Sequence, residues 1–179
     1  MKYLLAVASL TLIAQGQNSG VQAEWDITKT IDSLATTAKR LKPMLDQLTP
    51  QEWVSKGAPD AYVAQWKGAQ AELGYLVDSA KALEQQPERL TLALDTYFRM
   101  QALETRLTSL VEGVRKYQNP AVGDLLFGVL AENSTNRDKL RQYITDLAST
   151  KEQEFKIVDQ EAQRCRGILS RQPAPRKNP

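Results

Sequence analysis

The sequence offers carboxylates and one thiol for chemistry, because it contains no histidine and a single cysteine. Ser-His-Asp and Cys-His catalysis, haem ligation by histidine and Glu-x-x-His di-iron sites are therefore excluded, as is a cysteine-rich zinc site. A carboxylate-only metal or acid/base site is conceivable, because several acidic residues fall on predicted helices: Glu104, Glu112, Glu132, Asp138 and Asp146. Charged helix faces are usually just solvated, so we predict no catalytic residue, no metal, no cofactor and no enzymatic activity.

Cys165 lies between Arg164 and Arg166, on the apolar line of the last predicted helix. Two interpretations are open for this thiol. The first is a free cysteine buried among apolar side chains, and the second is a disulfide to a second chain, since no intrachain partner exists.

The segment from Thr49 to Tyr62 contains the best candidate for a partner-binding site. It places Trp53, Lys56, Asp60 and Tyr62 between two amphipathic stretches, and aromatic and charged groups on connections often carry binding. The alternative is that Trp53 closes the end of a helical bundle while Gly57 and Pro59 shape the turn.

Residues 48–52 read Leu-Thr-Pro-Gln-Glu. Over these five residues the chain resembles the helix start of the periplasmic Spy/CpxP-like helical chaperones, and the resemblance implies a chaperone-like bundle. Helix capping is the alternative explanation, because Thr49 can cap and Pro50 suits the first helical position.

Residues 1–23 have the pattern of a cleavable secretory signal peptide. A charged start at Lys2 precedes an apolar run from Leu4 to Ala14, and Ala23 ends the polar stretch that follows. The apolar run is about half the ~20 residues that a membrane-spanning helix needs. We therefore expect an exported protein, periplasmic or extracellular, that begins at Glu24. Its near-neutral charge gives no indication of a nucleic-acid partner.

Four long amphipathic helices are predicted in residues 24–169. The first has an unbroken heptad seam, and we predict self-association through it: Ile27, Ile31, Leu34, Ala38, Leu41, Leu45 and Leu48. The second runs from about residue 59 to 86, and Pro87 forces a tight connection or a kink. The third continues to about Tyr117 and buries, among others, Tyr97 and Phe98, before Asn119-Pro120 restarts the chain.

The last helix, from Ala121 to about Leu169, would be roughly 70 Å long, against 35 to 45 Å for its partners. Such a mismatch predicts a break or an overhang, and we expect a break at residues 133–136, because Asn-Ser-Thr-Asn favours caps. Beyond it a near-heptad apolar line resumes and includes Phe155, Val158, Ala162, Cys165 and Leu169. Residues 170–179 form a basic, proline-rich tail that we expect to be disordered. The tail is either solvated or in weak contact with an anionic envelope surface.

Together these features predict an all-α protein, an up-down bundle of about four long amphipathic helices with coiled-coil-like packing. The predicted function is that of an exported, non-enzymatic interaction or structural protein with a protein partner or a second copy of itself. A chaperone-like or apolar-ligand-binding bundle is the alternative.

Overall fold

The computed structural model describes residues 24–170, so the predicted signal peptide and residues 171–179 of the predicted tail lie outside the described residues. The described chain forms five helices and no strand, and the predicted helical bundle is confirmed. They are α1 (Glu24–Asp46), α2 (Pro50–Ser55), α3 (Ala61–Gln85), α4 (Leu90–Tyr117) and α5 (Pro120–Ser170).

The four long helices form a closed ring, in which α1 packs against α3 and α5, and α4 packs against the same two helices. The short helix α2 contacts α3 and α4. Polar contacts join neighbours around the ring: Arg99 of α4 pairs with Glu72 of α3 at 3.2 Å, and Arg137 of α5 pairs with Glu104 of α4 at 2.7 Å.

All seven apolar residues of the α1 heptad seam are buried. Their side chains join the apolar core of the bundle, together with buried leucines of α3, α4 and α5. The seam is therefore occupied by the chain's own helices. The prediction that self-association uses this seam is wrong for the folded chain, because a heptad stripe packs equally well against helices of the same bundle.

The connections between the helices lie where the sequence predicts that the helices end. Gly57, at φ +90°, turns the chain between α2 and α3 in a backbone conformation that favours glycine. Residues 86–89 connect α3 to α4 around Pro87, and the side chain of Asn119 accepts a hydrogen bond from the N–H of Ala121 at 2.9 Å. Pro50 occupies the start of α2 as expected, but the Thr49 side chain makes no capping hydrogen bond.

The predicted break at residues 133–136 is absent, and α5 runs unbroken through it. The polar side chains bond within the helix or across to α1 instead of capping a new helix. The hydroxyl of Ser134 donates to the Ala131 carbonyl at 2.8 Å, and the Asn136 amide donates to the Ser33 hydroxyl at 2.8 Å. A partly buried interhelical contact thus replaces the expected cap.

The buried face of α4 departs from the predicted one at Phe98, whereas Tyr97 is half-buried against the core. Phe98 is 60% exposed, whereas Thr96 is fully buried. Thr96 can enter the core because its hydroxyl donates to the Leu92 carbonyl at 2.9 Å. The core face therefore follows residues spaced three and four apart, and Phe98 lies outside it: Ala93, Thr96, Met100, Leu103 and Leu107.

The overhang suggested by the helix lengths is present. At 1.5 Å per residue, the 51 residues of α5 span about 77 Å, and the 28 residues of α4 span about 42 Å. The last buried residue of α5 is Leu147. We call residues 148–170 the α5 extension.

Candidate functional site

The predicted partner-binding segment lies at the end of the bundle where α2 meets the C-terminus of α4. Trp53 is fully buried there. The ring of Tyr62 packs edge-on against Trp53, with centroids 5.7 Å apart, and against Tyr117 on its other side at 6.1 Å. Three aromatic rings from α2, α3 and α4 therefore close this end.

Gln118, directly after α4, is hydrogen-bonded to α2 and to the connection between α1 and α2. Its side-chain oxygen accepts from the indole N–H of Trp53 at 3.1 Å and from the backbone N–H of Thr49 at 3.2 Å. Its amide N–H donates to the carbonyl of Gln47 at 3.1 Å. The buried indole nitrogen is thereby satisfied. Sequence reasoning missed Gln118, because an amide after a helix end has no pattern of its own.

Gly113 on α4 allows this packing. A Cβ at Gly113 would lie 2.7 Å from Tyr62 and 3.0 Å from Trp53. The close approach of the two rings thus needs the absent side chain at this position.

Lys56 and Asp60 stay on the surface of this end. The Lys56 ammonium donates to the Tyr117 carbonyl at 3.2 Å. Burial supports the interpretation of Trp53 as the residue that closes the bundle, and it removes Trp53 from any surface that a partner could touch. A binding role for Lys56, Asp60 and the half-buried Tyr62 stays a prediction.

The carboxylates considered for a metal or acid/base site are spread over the surface. Within residues 27–170, no three potential metal-ligating side chains come together. Instead, each of the five carboxylates has an arginine or amide partner. Glu104 pairs with Arg137, Glu112 with Arg115, Glu132 with Arg40, Asp138 with Arg137 and Arg141, and Asp146 accepts from Gln142.

The ion pair between Arg40 and Glu132 joins α1 to α5 on the surface. The hydrogen bond from Arg40 lowers the pKa of the Glu132 carboxyl and raises that of the guanidinium, and the attraction between the charges adds to both shifts. In the same way, the hydrogen bond from Lys42 lowers the pKa of Asp46. These shifts are typical of structural ion pairs at the surface.

The α5 extension carries the largest group of exposed apolar side chains. Of the nine large apolar residues that are well exposed in the described chain, five lie on it: Phe155, Ile157, Val158, Ile168 and Leu169. Phe155 is the most exposed of all, at 74%. A cluster of this kind on one helix marks an interaction surface more often than isolated exposed residues do.

Cys165 is exposed on the same extension. The interpretation of this residue as a buried thiol is therefore wrong for the single chain, because no helix within residues 24–170 covers the apolar line on which it lies. The prediction of an intermolecular disulfide at Cys165 stays untested.

A groove of about 590 Å³ lies between α1 and α3. Its apolar lining includes Ala38, Leu45, Leu73 and Val77, and charged residues at its rim include Lys39 and Asp78. Gly74 borders it, and a Cβ there would meet nothing within 4 Å. Sequence reasoning missed this groove, because its residues come from two helices whose pairing the pattern does not specify.

Comparison of the chain with protein-family models, with curated proteins and with solved structures gives no match. The resemblance to chaperone helix starts is thus carried by residues 48–52 alone. Within residues 24–170, no helix combines the length and the apolarity that crossing a bilayer requires.

Proposed function

We propose that this chain is an exported, non-enzymatic helical interaction protein that binds protein through the α5 extension. The observation that carries the proposal is an apolar line on a helix that projects about 34 Å beyond the last buried residue of α5. We call this line the apolar stripe, and its residues are Ala148, Lys151, Phe155, Val158, Ala162, Cys165 and Leu169. No side chain of the α5 extension is buried in the single chain, and packing of its apolar face against a partner would stabilise it.

The bundle would serve as the rigid base from which the extension projects. Its closed aromatic end accounts for Trp53 and Tyr62, and its interhelical ion pairs account for Glu104 and Glu132. Export is supported by the signal-like sequence of residues 1–23. Intact mass spectrometry of the chain recovered outside the cytoplasm tests export, with Glu24 expected as the first residue.

Photo-crosslinking tests the interaction surface directly. Benzoylphenylalanine replaces Val158 on the apolar stripe, and the matched control carries it at Gln160, two residues away on another face of the same helix. We expect cells that make the chain to give a protein adduct from position 158 and a much weaker one from position 160. Equal adducts, or none from either position, would contradict the proposal.

A second candidate function is the binding of an apolar ligand in the groove between α1 and α3. The groove has an apolar lining and a volume within the range of small-molecule sites. Uptake of an environment-sensitive apolar dye by the folded chain tests it. Gly74→Leu should fill the groove and abolish saturable uptake. Gly128→Leu on α5, where a Cβ also meets nothing within 4 Å, should leave uptake unchanged.

A further inference from the structure

The apolar stripe of the α5 extension has the spacing of a coiled-coil seam. Steps of three and four residues alternate without interruption through its seven positions: Ala148, Lys151, Phe155, Val158, Ala162, Cys165 and Leu169. Three heptads of this pattern are typical of a helix that packs along a second helix. Lys151, the one charged member, pairs with Glu154 of the same helix at 3.0 Å.

The stripe continues the core-facing side of α5. Five helical turns take 18 residues, so Cys165 lies directly in line with Leu147, and Val158 lies about three turns beyond Leu147. Leu147 itself is buried, 3% exposed, two turns after the fully buried Leu140. A helix that covers the stripe must therefore stand on the end of the bundle, above α1 and α4, which pack on this side of α5.

The side of α5 on which the stripe lies decides whether the extension of a second copy can pack on it parallel or antiparallel. If two extensions ran parallel with their stripes together, the α5 of each copy would continue into the space that α1 and α4 of the other copy occupy. If they ran antiparallel, each bundle would lie beyond the free end of the other copy's extension, where no part of residues 24–147 stands in the way.

The charges along the extension favour the same orientation. Residues 151–161 contain four acidic and two basic side chains, a net charge of −2. Residues 162–170 contain Arg164 and Arg166 and no acidic residue, a net charge of +2. Antiparallel pairing places the acidic half of one extension against the basic half of the other. Parallel pairing would place the two acidic halves together and the two basic halves together.

We propose, on the basis of the proposed interaction function, that the α5 extension binds the extension of a second copy of this chain as an antiparallel two-helix coiled coil. Each residue of the stripe then lies opposite a stripe residue with a different number in the second copy. Phe155 lies opposite Cys165 of the second copy, Val158 opposite Ala162 of the second copy, and Lys151 opposite Leu169 of the second copy. The two-fold symmetry closes the assembly at two chains.

The interface is small. A strip about 34 Å long and about 10 to 12 Å wide is about 400 Å² per copy, or about 800 Å² in total, which is the size of weak and transient interfaces. The dimer is thus a reversible one whose population depends on concentration. In this arrangement the two Cys165 residues are about ten residues, or about 15 Å, apart, and a disulfide needs Cα atoms within about 7 Å. The dimer is non-covalent.

Sedimentation equilibrium tests the association. It uses the chain that begins at Glu24, the expected first residue after export, which keeps every core residue of the described part. We expect the mass to rise from one chain to two over roughly 1 µM to 1 mM. Val158→Glu should weaken dimerisation on the order of tenfold or more, because it buries a charge against an alanine. Gln160→Glu, which adds the same charge off the seam, should change it little. A monomeric mass throughout, or equal effects of the two variants, would overturn the proposal.

Oxidation with copper phenanthroline and oxygen tests the orientation. Under conditions where the chain sediments as a dimer, native Cys165 should give little covalent dimer. The variant Phe155→Cys should cross-link efficiently, and peptide mass spectrometry should find position 155 joined to Cys165. Efficient linkage of Cys165 to Cys165 in the native chain would overturn the antiparallel arrangement. If the chain stays monomeric while position 158 still cross-links to a different protein in cells, the second copy is wrong and the proposed function stands.

Discussion

At the scale of single residues, the closed end of the bundle depends on matching shapes and on one amide. Trp53 supplies the largest fully buried side chain, Gly113 supplies the space beside it, and Gln118 supplies the acceptor for its indole N–H. The three residues are coupled, because Trp53 packs into the space that Gly113 leaves and donates its indole N–H to Gln118.

Two glycine substitutions should have opposite effects on stability. Gly113→Ala should lower the free energy of unfolding by about 1–3 kcal/mol, because its Cβ would lie closer to Tyr62 and Trp53 than real contacts allow. Gly74→Ala, in an open part of α3, should raise it by about 0.5–1 kcal/mol through helix propensity. Urea denaturation followed by circular dichroism measures both, and a stabilised Gly113→Ala would contradict the described packing.

Gln118 should contribute to stability through the hydrogen bonds that it makes. Gln118→Ala leaves the buried indole N–H of Trp53 without its acceptor, at an expected cost of about 1–3 kcal/mol. In the background Trp53→Phe, which has no N–H to satisfy, the same substitution should cost less. Urea denaturation measures the loss of unfolding free energy that Gln118→Ala causes in each background. Equal losses would mean that the indole hydrogen bond contributes nothing.

At the scale of helices, each interhelical polar contact fixes the pairing of two elements. Arg40–Glu132 and Ser33–Asn136 tie α1 to α5, and Arg137–Glu104 ties α5 to α4. The two contacts between α1 and α5 show the register of antiparallel neighbours. As residue numbers fall along α1, they rise along α5.

The ion pair between Arg40 and Glu132 should give a pH-dependent contribution to stability. Because the folded-state pKa of Glu132 is lowered, the contribution is fully present above the ordinary carboxyl pKa of about 4.3 and is lost as the pH falls through the lowered value. Glu132→Gln should therefore lower the melting temperature slightly at pH 7 and have almost no effect near about pH 2. Glu84→Gln, an exposed site on α3, is the control and should be neutral at both pH values.

Much of the arrangement of helices could be predicted from the sequence. The α1 seam, the connections near Pro50, Pro87 and Asn119 and the excess length of α5 all follow from periodicity and turn chemistry. The continuity of α5 could not be predicted, because Asn136 is stabilised in the helix by Ser33, a residue 103 positions away. The burial of Thr96 could not be predicted either, because the sequence does not show that its hydroxyl is hydrogen-bonded within its own helix. With Thr96 facing the core, Phe98 two residues later faces solvent.

The candidate site was predicted less well than the fold. The four residues named from the Thr49–Tyr62 segment do lie at one end of the bundle, but Trp53 turned inward because Gln118 could satisfy its nitrogen. The α5 extension could be predicted only from the length of the last helix, which exceeds the lengths of the helices that it packs against. The sequence shows its apolar line, but a heptad pattern does not reveal whether the helix that packs on it belongs to the same chain.

At the scale of the whole molecule, the described chain divides into a packed body and a projecting helix. Every fully buried residue of α5 lies at or before Leu140, and Leu147 is the last one below a tenth exposed. Stability and association should therefore depend on different segments, and a truncation can separate them.

Removal of residues 151–179 should leave the bundle folded and abolish its association. No buried side chain of the described part is lost, so the melting temperature of a dilute sample should change by only a few degrees, about the effect of 1 kcal/mol in a domain of this size. The chain that keeps the extension should melt at a temperature that rises with protein concentration, because a dimer favours the folded state by mass action. The truncated chain should melt at the same temperature from roughly 1 µM to 1 mM. Calorimetry over this range measures both behaviours. A large drop in the melting temperature of the dilute truncated chain would mean that the extension belongs to the fold of the single chain.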